Sequence, residues 1–159
     1  MVATSTPSLY SLASAFGSTL PMNVGVVSFV MLSLFNEPVS LSAFRGKVPT
    51  VLTFWSIYCA ACVEEMAGLQ RLYEKYGPEK VAVVAVNGDA DVGVERVKAF
   101  LDRSAATPNG KFTFRILFDG KGDVMRSYGV SRLPTLFFID REGTVREVRA
   151  DGSQAVAVT

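Results

Sequence analysis

The stretch that most constrains the fold is "FWSIYCAACVEEM", residues 54–66. It follows "KVPTVLTFW" (47–55), a run of Val, Thr and aromatics that reads as a strand buried on both faces. A helical pattern runs on from it and stops at the breaker pair Gly77-Pro78. Cys59 and Cys62, the only two cysteines, therefore sit where a strand hands over to a helix. A bridge across so short a loop constrains the unfolded chain very little. A structural zinc site wants four ligands, and two cysteines without any histidine supply half of them, so a metal would have to be shared between two copies. A reactive dithiol suits the placement better. The orphan N–H groups and the macrodipole at a helix mouth, about half a unit charge, favour an anion and acidify the first thiol. Cys62 lies one turn further in, on a stripe with Met66, Leu69, Tyr73 and Tyr76 that predicts the buried face.

Composition narrows the chemistry. The chain has 159 residues, enough for one domain, and 49% of them are hydrophobic, which supports a buried core. Sixteen Lys+Arg against fifteen Asp+Glu leave a net charge of +1, no footprint for nucleic acid or an anionic membrane surface. Without histidine the commonest general base is missing, so catalysis must run on Cys, carboxylates and backbone groups. Residues 1–36 carry no charged side chain. "ASA" at 13–15 resembles a cleavage site, yet no basic residue precedes it, so no intact targeting segment is expected. The apolar run Val24–Phe35 falls well short of the roughly 20 residues of a membrane span and reads as a strand region. The expected organisation is a loosely ordered lead-in over 1–20 and one domain over 21–159.

Further elements follow in order. "FVMLSLFNEPVSLSAF" predicts a hairpin with its turn at Asn36-Glu37-Pro38. "VAVVAV" (81–86) is a buried strand. "DVGVERVKAFL" predicts a helix capped by Asp91, with Val94, Val97 and Leu101 facing inward. "FTFRILFD" reads as a strand and "GDVMRSYG" as a short helix closed by Gly129. "TLFFID" and "TVREVR" predict two strands joined at "REG", where Gly143 can take positive φ. Alternating strands and helices make the class α/β, with antiparallel strands at one side.

With "YGVSRLPTLFFIDREGTV" following "VLTFWSIYCAACVEEM" some seventy residues on, the chain resembles the thioredoxin superfamily, and within it the TlpA/ResA/CcmG-like thiol–disulfide oxidoreductases. "NEPVSLSAFRGK" and "LFDGKGDVMRSYGV" are similar to that branch and not to plain thioredoxin. The resemblance implies a thioredoxin-like fold, a mixed central sheet flanked by helices with an N-terminal β-hairpin extension. It implies Cys59 as attacking nucleophile, Cys62 as resolving thiol and Pro134 as a cis-proline facing them. The backbone of Leu133 would pair with an extended substrate segment, and Trp55 and Tyr58 would line the site. Glu65 would handle the proton of Cys62, although an acid in a helix's first turn also has a purely electrostatic explanation. A disulfide-bearing protein substrate, an upstream thiol electron donor, the reductant direction, an extracytoplasmic setting tied to cytochrome c maturation and no cofactor are implied as well. A membrane tether would need a leader not seen in this sequence.

The departures from that pattern are specific. Ala60-Ala61 fills the motif, Tyr58 stands where tryptophan is usual, and Thr53 occupies the strand position where thioredoxins bury an aspartate. "ADGSQAVAVT" replaces the expected last helix. These departures keep open a second reading, a non-catalytic or redox-sensing interaction module.

Overall fold

The computed structural model describes residues 30–35, 37–150 and 156–157. The lead-in expected over 1–20 and the first part of the Val24–Phe35 strand region lie outside them. A short hairpin comes first, β1 (Val30–Leu32) and β2 (Pro38–Ser40). It is followed by β3 (Thr50–Trp55), α1 (Ala60–Tyr76), β4 (Ala82–Asn87), α2 (Val94–Ser104) and β5 (Arg115–Phe118). The chain continues through α3 (Asp123–Ser127), β6 (Thr135–Ile139), β7 (Val145–Ala150) and β8 (Val156–Ala157). Six strands form one sheet in the order β5-β4-β3-β6-β7-β8. β3 runs parallel to β4 and antiparallel to β6, so the motif strand is central and the sheet is mixed. All six of its residues are buried, as a strand with neighbours on both edges and covered faces requires.

Alternation along β3 divides the core. Leu52 and Phe54 join Val84, Val86, Leu117, Phe137 and Ile139 on one face, closed by Val124 and Tyr128. Val51 and Trp55 join Val83, Ala85 and Leu136 on the other, under Cys62, Met66 and Leu69 of α1 and Val97 of α2. Each Val, Leu, Ile, Phe or Met among them contributes about 1.5–3 kcal/mol on burial. Exposed ion pairs such as Lys98–Glu95, 3.1 Å apart, contribute about 0–1 kcal/mol. Packing, not surface charge, holds the fold.

The expected hairpin forms, but Pro38, placed in its turn, opens β2 opposite Leu32, and Asn36 lies outside the described residues. Ser33 organises the turn, its hydroxyl accepting the Phe35 and Glu37 amides at 3.2 and 3.1 Å. Leu34 donates its amide to Ile116 at 3.3 Å, docking the hairpin on the β5 edge. The second extended piece is shorter than expected: after Ser40 the chain turns into a 3-10 segment, Leu41–Phe44.

Two helix expectations need correction. Tyr76, placed on the inward face of α1, is half exposed, with the Lys75 ammonium 5.3 Å from its ring centre. Gln70 is buried in its stead, because its amide clasps Thr113: Nε2 donates to Oγ1 at 2.7 Å and Oε1 accepts the Thr113 amide at 2.8 Å. Asp91 does not cap α2. That helix starts later, from Gly93 at φ +81°, because the preceding turn is shaped by Asp89, whose carbonyl accepts the Val92 amide at 3.2 Å.

Gly143 takes φ +87° in the β6–β7 turn, as the "REG" reading requires. Among the described residues β7 is followed by the edge strand β8 and not by a helix. On the α1 side of β7, the Arg149 guanidinium lies over Phe138 at 5.1 Å and donates to Glu147 at 2.6 Å, covering part of that face with the stem of a charged side chain.

Candidate active site

The site is built where β3 ends and α1 begins. Cys59 is the N-cap of α1, in extended conformation, and its sulfur accepts the Cys62 amide at 3.2 Å. That contact puts Cys59 Sγ on the orphan donors of the helix mouth, where a thiolate is favoured. Cys59 and Cys62 are joined as a disulfide. Their accessibility differs: Cys59 is half-buried, whereas Cys62 is 1% exposed and packs with Trp55 and Met66. An incoming group can therefore reach the first sulfur and not the second.

Strand register brings the proline loop alongside. Phe54 pairs with Thr135, so the next step along β3 places Trp55 and the motif beside Pro134. The Leu133–Pro134 peptide is cis. Leu133 is half-buried and packs against the same cluster as Cys59, while Pro134 is buried. Thr135 steadies the bend, its hydroxyl donating to the Arg132 carbonyl at 2.6 Å. Tyr58 is 66% exposed directly before Cys59 and offers a ring to whatever docks there. Trp55, expected to wall the site, lies entirely within the core against Phe100, ring centres 6.1 Å apart. It forms the floor from inside and has no face open to a partner.

Glu65 lies beyond the first turn of α1, which carries no acid, so a first-turn dipole effect does not explain it. Its carboxylate accepts the Thr53 hydroxyl at 3.2 Å. Thr53, Leu136 and Arg149 are register partners across β3, β6 and β7, so they share the face that α1 covers. Thr53 thus ties a helix acid to the strand position where thioredoxins bury an aspartate. Burial lifts the Glu65 carboxyl above its ordinary range, and the Thr53 hydrogen bond and Arg149 charge pull it partly back. A raised folded-state affinity for protons stabilises the fold fully below the ordinary carboxyl value, and that contribution is lost as pH rises through the folded one. Glu65→Gln should therefore gain stability relative to the parent as pH goes from about 4 to about 7, read by thermal unfolding at both ends. An unchanged difference at the two pH values would contradict this.

Beneath the motif lies a network that sequence reasoning missed. Asp89, 5% exposed, accepts the Ser56 hydroxyl at 2.5 Å, the Ile57 amide at 2.8 Å and the Asn87 side-chain amide at 2.7 Å. Asn87 Oδ1 accepts the Asp89 amide at 3.0 Å, and Ser56 Oγ accepts the Tyr58 amide at 3.1 Å. The one available signal was "VNGDAD", a polar cluster at the carboxyl end of a buried strand.

Comparison with known proteins agrees with this geometry. The profile of the AhpC/TSA family matches residues 25–148. The thiol-disulfide oxidoreductase ResA of Geobacillus thermodenitrificans is 35% identical over 137 residues, 86% of this chain and 70% of the relative. The thioredoxin-like protein YneN of Bacillus subtilis is 34% identical over 121 residues, 76% of this chain and 66% of the relative. The crystal structure of StoA from Bacillus subtilis superposes with a TM-score of 0.64 at 26% identity, over 78% of this chain and 87% of that one.

Proposed function

Because the chain belongs to the AhpC/TSA family and is a thiol–disulfide oxidoreductase of the ResA-like, thioredoxin-fold kind, we propose that it reduces disulfides of partner proteins, with Cys59 attacking and Cys62 resolving. The carrying observation is the asymmetry of the pair: a half-buried sulfur at the helix mouth backed by one that is almost fully enclosed. The Cys59 thiolate attacks a partner sulfur. The partner's S–S bond breaks, a mixed disulfide forms, and the released partner thiolate takes a proton from solvent. Cys62 loses its proton and attacks Cys59 Sγ, which expels the second partner thiolate and leaves the Cys59–Cys62 disulfide. Two electrons have then passed to the partner. An upstream thiol donor restores the dithiol.

Glu65 is the proposed proton acceptor for Cys62. It sits three residues further along α1, and burial raises its proton affinity, the direction that makes a carboxylate a better proton acceptor. An extended partner segment lies along Leu133 and hydrogen-bonds its backbone, beside the exposed Tyr58 ring. An extracytoplasmic setting, and a role in cytochrome c maturation, come from the family resemblance, and an oxidising compartment is where disulfide substrates accumulate.

The test is turnover of a disulfide-bonded peptide with a small dithiol as donor. The purified chain should accelerate reduction, and the acceleration should disappear on prior alkylation of its thiols. A rate equal to that of the donor alone would overturn the proposal.

A further inference from the structure

We propose that Asp89 is a positioning residue for the dithiol: its buried carboxylate fastens the lead of the motif and holds a negative charge beneath it, biasing the couple towards the disulfide. The inference rests on the oxidoreductase reading above and adds a residue that the motif does not contain. Three donors converge on this one side chain, from Ser56, Ile57 and Asn87. Two belong to the three residues that separate β3 from the N-cap cysteine. The same segment closes on itself through the Cys59 amide, which donates to the Ser56 carbonyl at 3.1 Å. Its base is tied down by the Gly88 amide, which donates to the Trp55 carbonyl at 3.0 Å. The direction in which Cys59 leaves the sheet is therefore set by Asp89.

A fixed negative charge so close to the helix mouth works against the dipole there. It disfavours the Cys59 thiolate, and a less stabilised thiolate makes the reduced form a better electron donor. Other charged or ionisable groups on the surrounding elements include Glu64 and Glu65 on α1, Asp91 in the same loop, Arg149 on β7, Arg132 in the proline loop, the Tyr58 phenol within the motif and the buried Asp119 after β5, whose amide donates to the Asn87 carbonyl at 2.9 Å. Arg149 is engaged with Glu147 and Phe138. Asp89 is the buried carboxylate under the loop itself.

The experiment is alkylation of the reduced full chain by iodoacetamide across pH, with the modified cysteine identified by mass. A glutathione equilibrium at about pH 8.5, near the ordinary thiol value, accompanies it. Asp89→Asn keeps the shape and removes the charge. Its Cys59 midpoint should fall by about one pH unit, a tenfold gain in acidity, and its equilibrium should move severalfold towards the dithiol. Ser56→Ala removes a donor that partly neutralises the carboxylate, so its midpoint should rise. A midpoint in Asp89→Asn that stays put or rises overturns the proposal, as does a shift of both variants in one direction. Should Asp89→Asn fail to fold, an unmoved or lowered midpoint in Ser56→Ala overturns it alone. Absent exchange activity in the parent chain would sink the oxidoreductase reading, whereas an active parent with an unmoved midpoint sinks only the role of Asp89.

Discussion

Replacing Cys62 with serine should leave the protein covalently tied to its partners, while replacing Cys59 should leave it unable to engage them at all. In Cys62→Ser the half-buried sulfur of Cys59 keeps its place at the α1 mouth and still attacks, but nothing behind it completes the exchange. Mixed disulfides should accumulate to a large fraction of the protein and dissolve with reductant. In Cys59→Ser the remaining sulfur is 1% exposed, so a partner cannot reach it. Turnover should fall by about three orders of magnitude or more in both variants, the scale on which loss of a covalent nucleophile acts. Non-reducing electrophoresis with a disulfide-bonded protein separates the two. Equal adduct formation by both variants would show that the sulfurs are interchangeable and that their different burial has no consequence.

Phe54→Ala should be among the most destabilising single changes, at about 3–5 kcal/mol, the usual cost of removing a buried phenylalanine. Phe54 is fully buried at the middle of the sheet, one residue before Trp55. Its ring centre is 5.5 Å from that of Tyr128 and 5.9 Å from that of Phe137, the latter edge-on. Tyr128 and Phe137 also touch edge-on at 5.1 Å, so the cavity is walled by two rigid rings that cannot collapse into it. The loss is a large share of the roughly 5–15 kcal/mol that holds a domain of this size together. Urea unfolding should show a lower midpoint with an unchanged slope. If the alanine variant does not fold, Phe54→Leu supplies the smaller step, at about 1–1.5 kcal/mol. Phe35, 85% exposed at the hairpin tip, is the control: Phe35→Ser should stay within about 0.5 kcal/mol of the parent. Equal losses at the two positions would mean that the ring cluster is not a packed core.

Local signals carried much of this architecture. A doubly buried strand, a CxxC pair, a helix ended by Gly77-Pro78 and a downstream Leu133-Pro134 name the order of elements, because each is a short-range pattern with one physical cause. The unequal burial of Cys59 and Cys62 follows from helical periodicity alone. What escaped was set by contacts between distant segments. Tyr76 obeys the apolar period, yet it lies in the last turn, where little remains above the helix to bury it, so it faces water with Lys75. Gln70 violates the period, and its burial becomes intelligible only once Thr113, forty-three positions away, supplies matching hydrogen bonds. Asp89 was overshadowed by Asp91 because capping statistics look forward along the chain, while its real partners lie back at Ser56 and Ile57. Thr53 stands where thioredoxins bury an aspartate, and its hydrogen bond to Glu65 shows an acid arriving there from the helix side instead of the strand.

The most direct measurement mixes the fully reduced chain with a disulfide-bonded peptide in the absence of oxygen, quenches with acid at early times, and maps the adduct by mass. The peptide should be found on Cys59, and the adduct should give way to a Cys59–Cys62 disulfide with release of one fully reduced peptide per chain. Peptide attached first to Cys62, or a reduced chain that never takes up peptide while its substrate disulfide stays intact, would contradict the account.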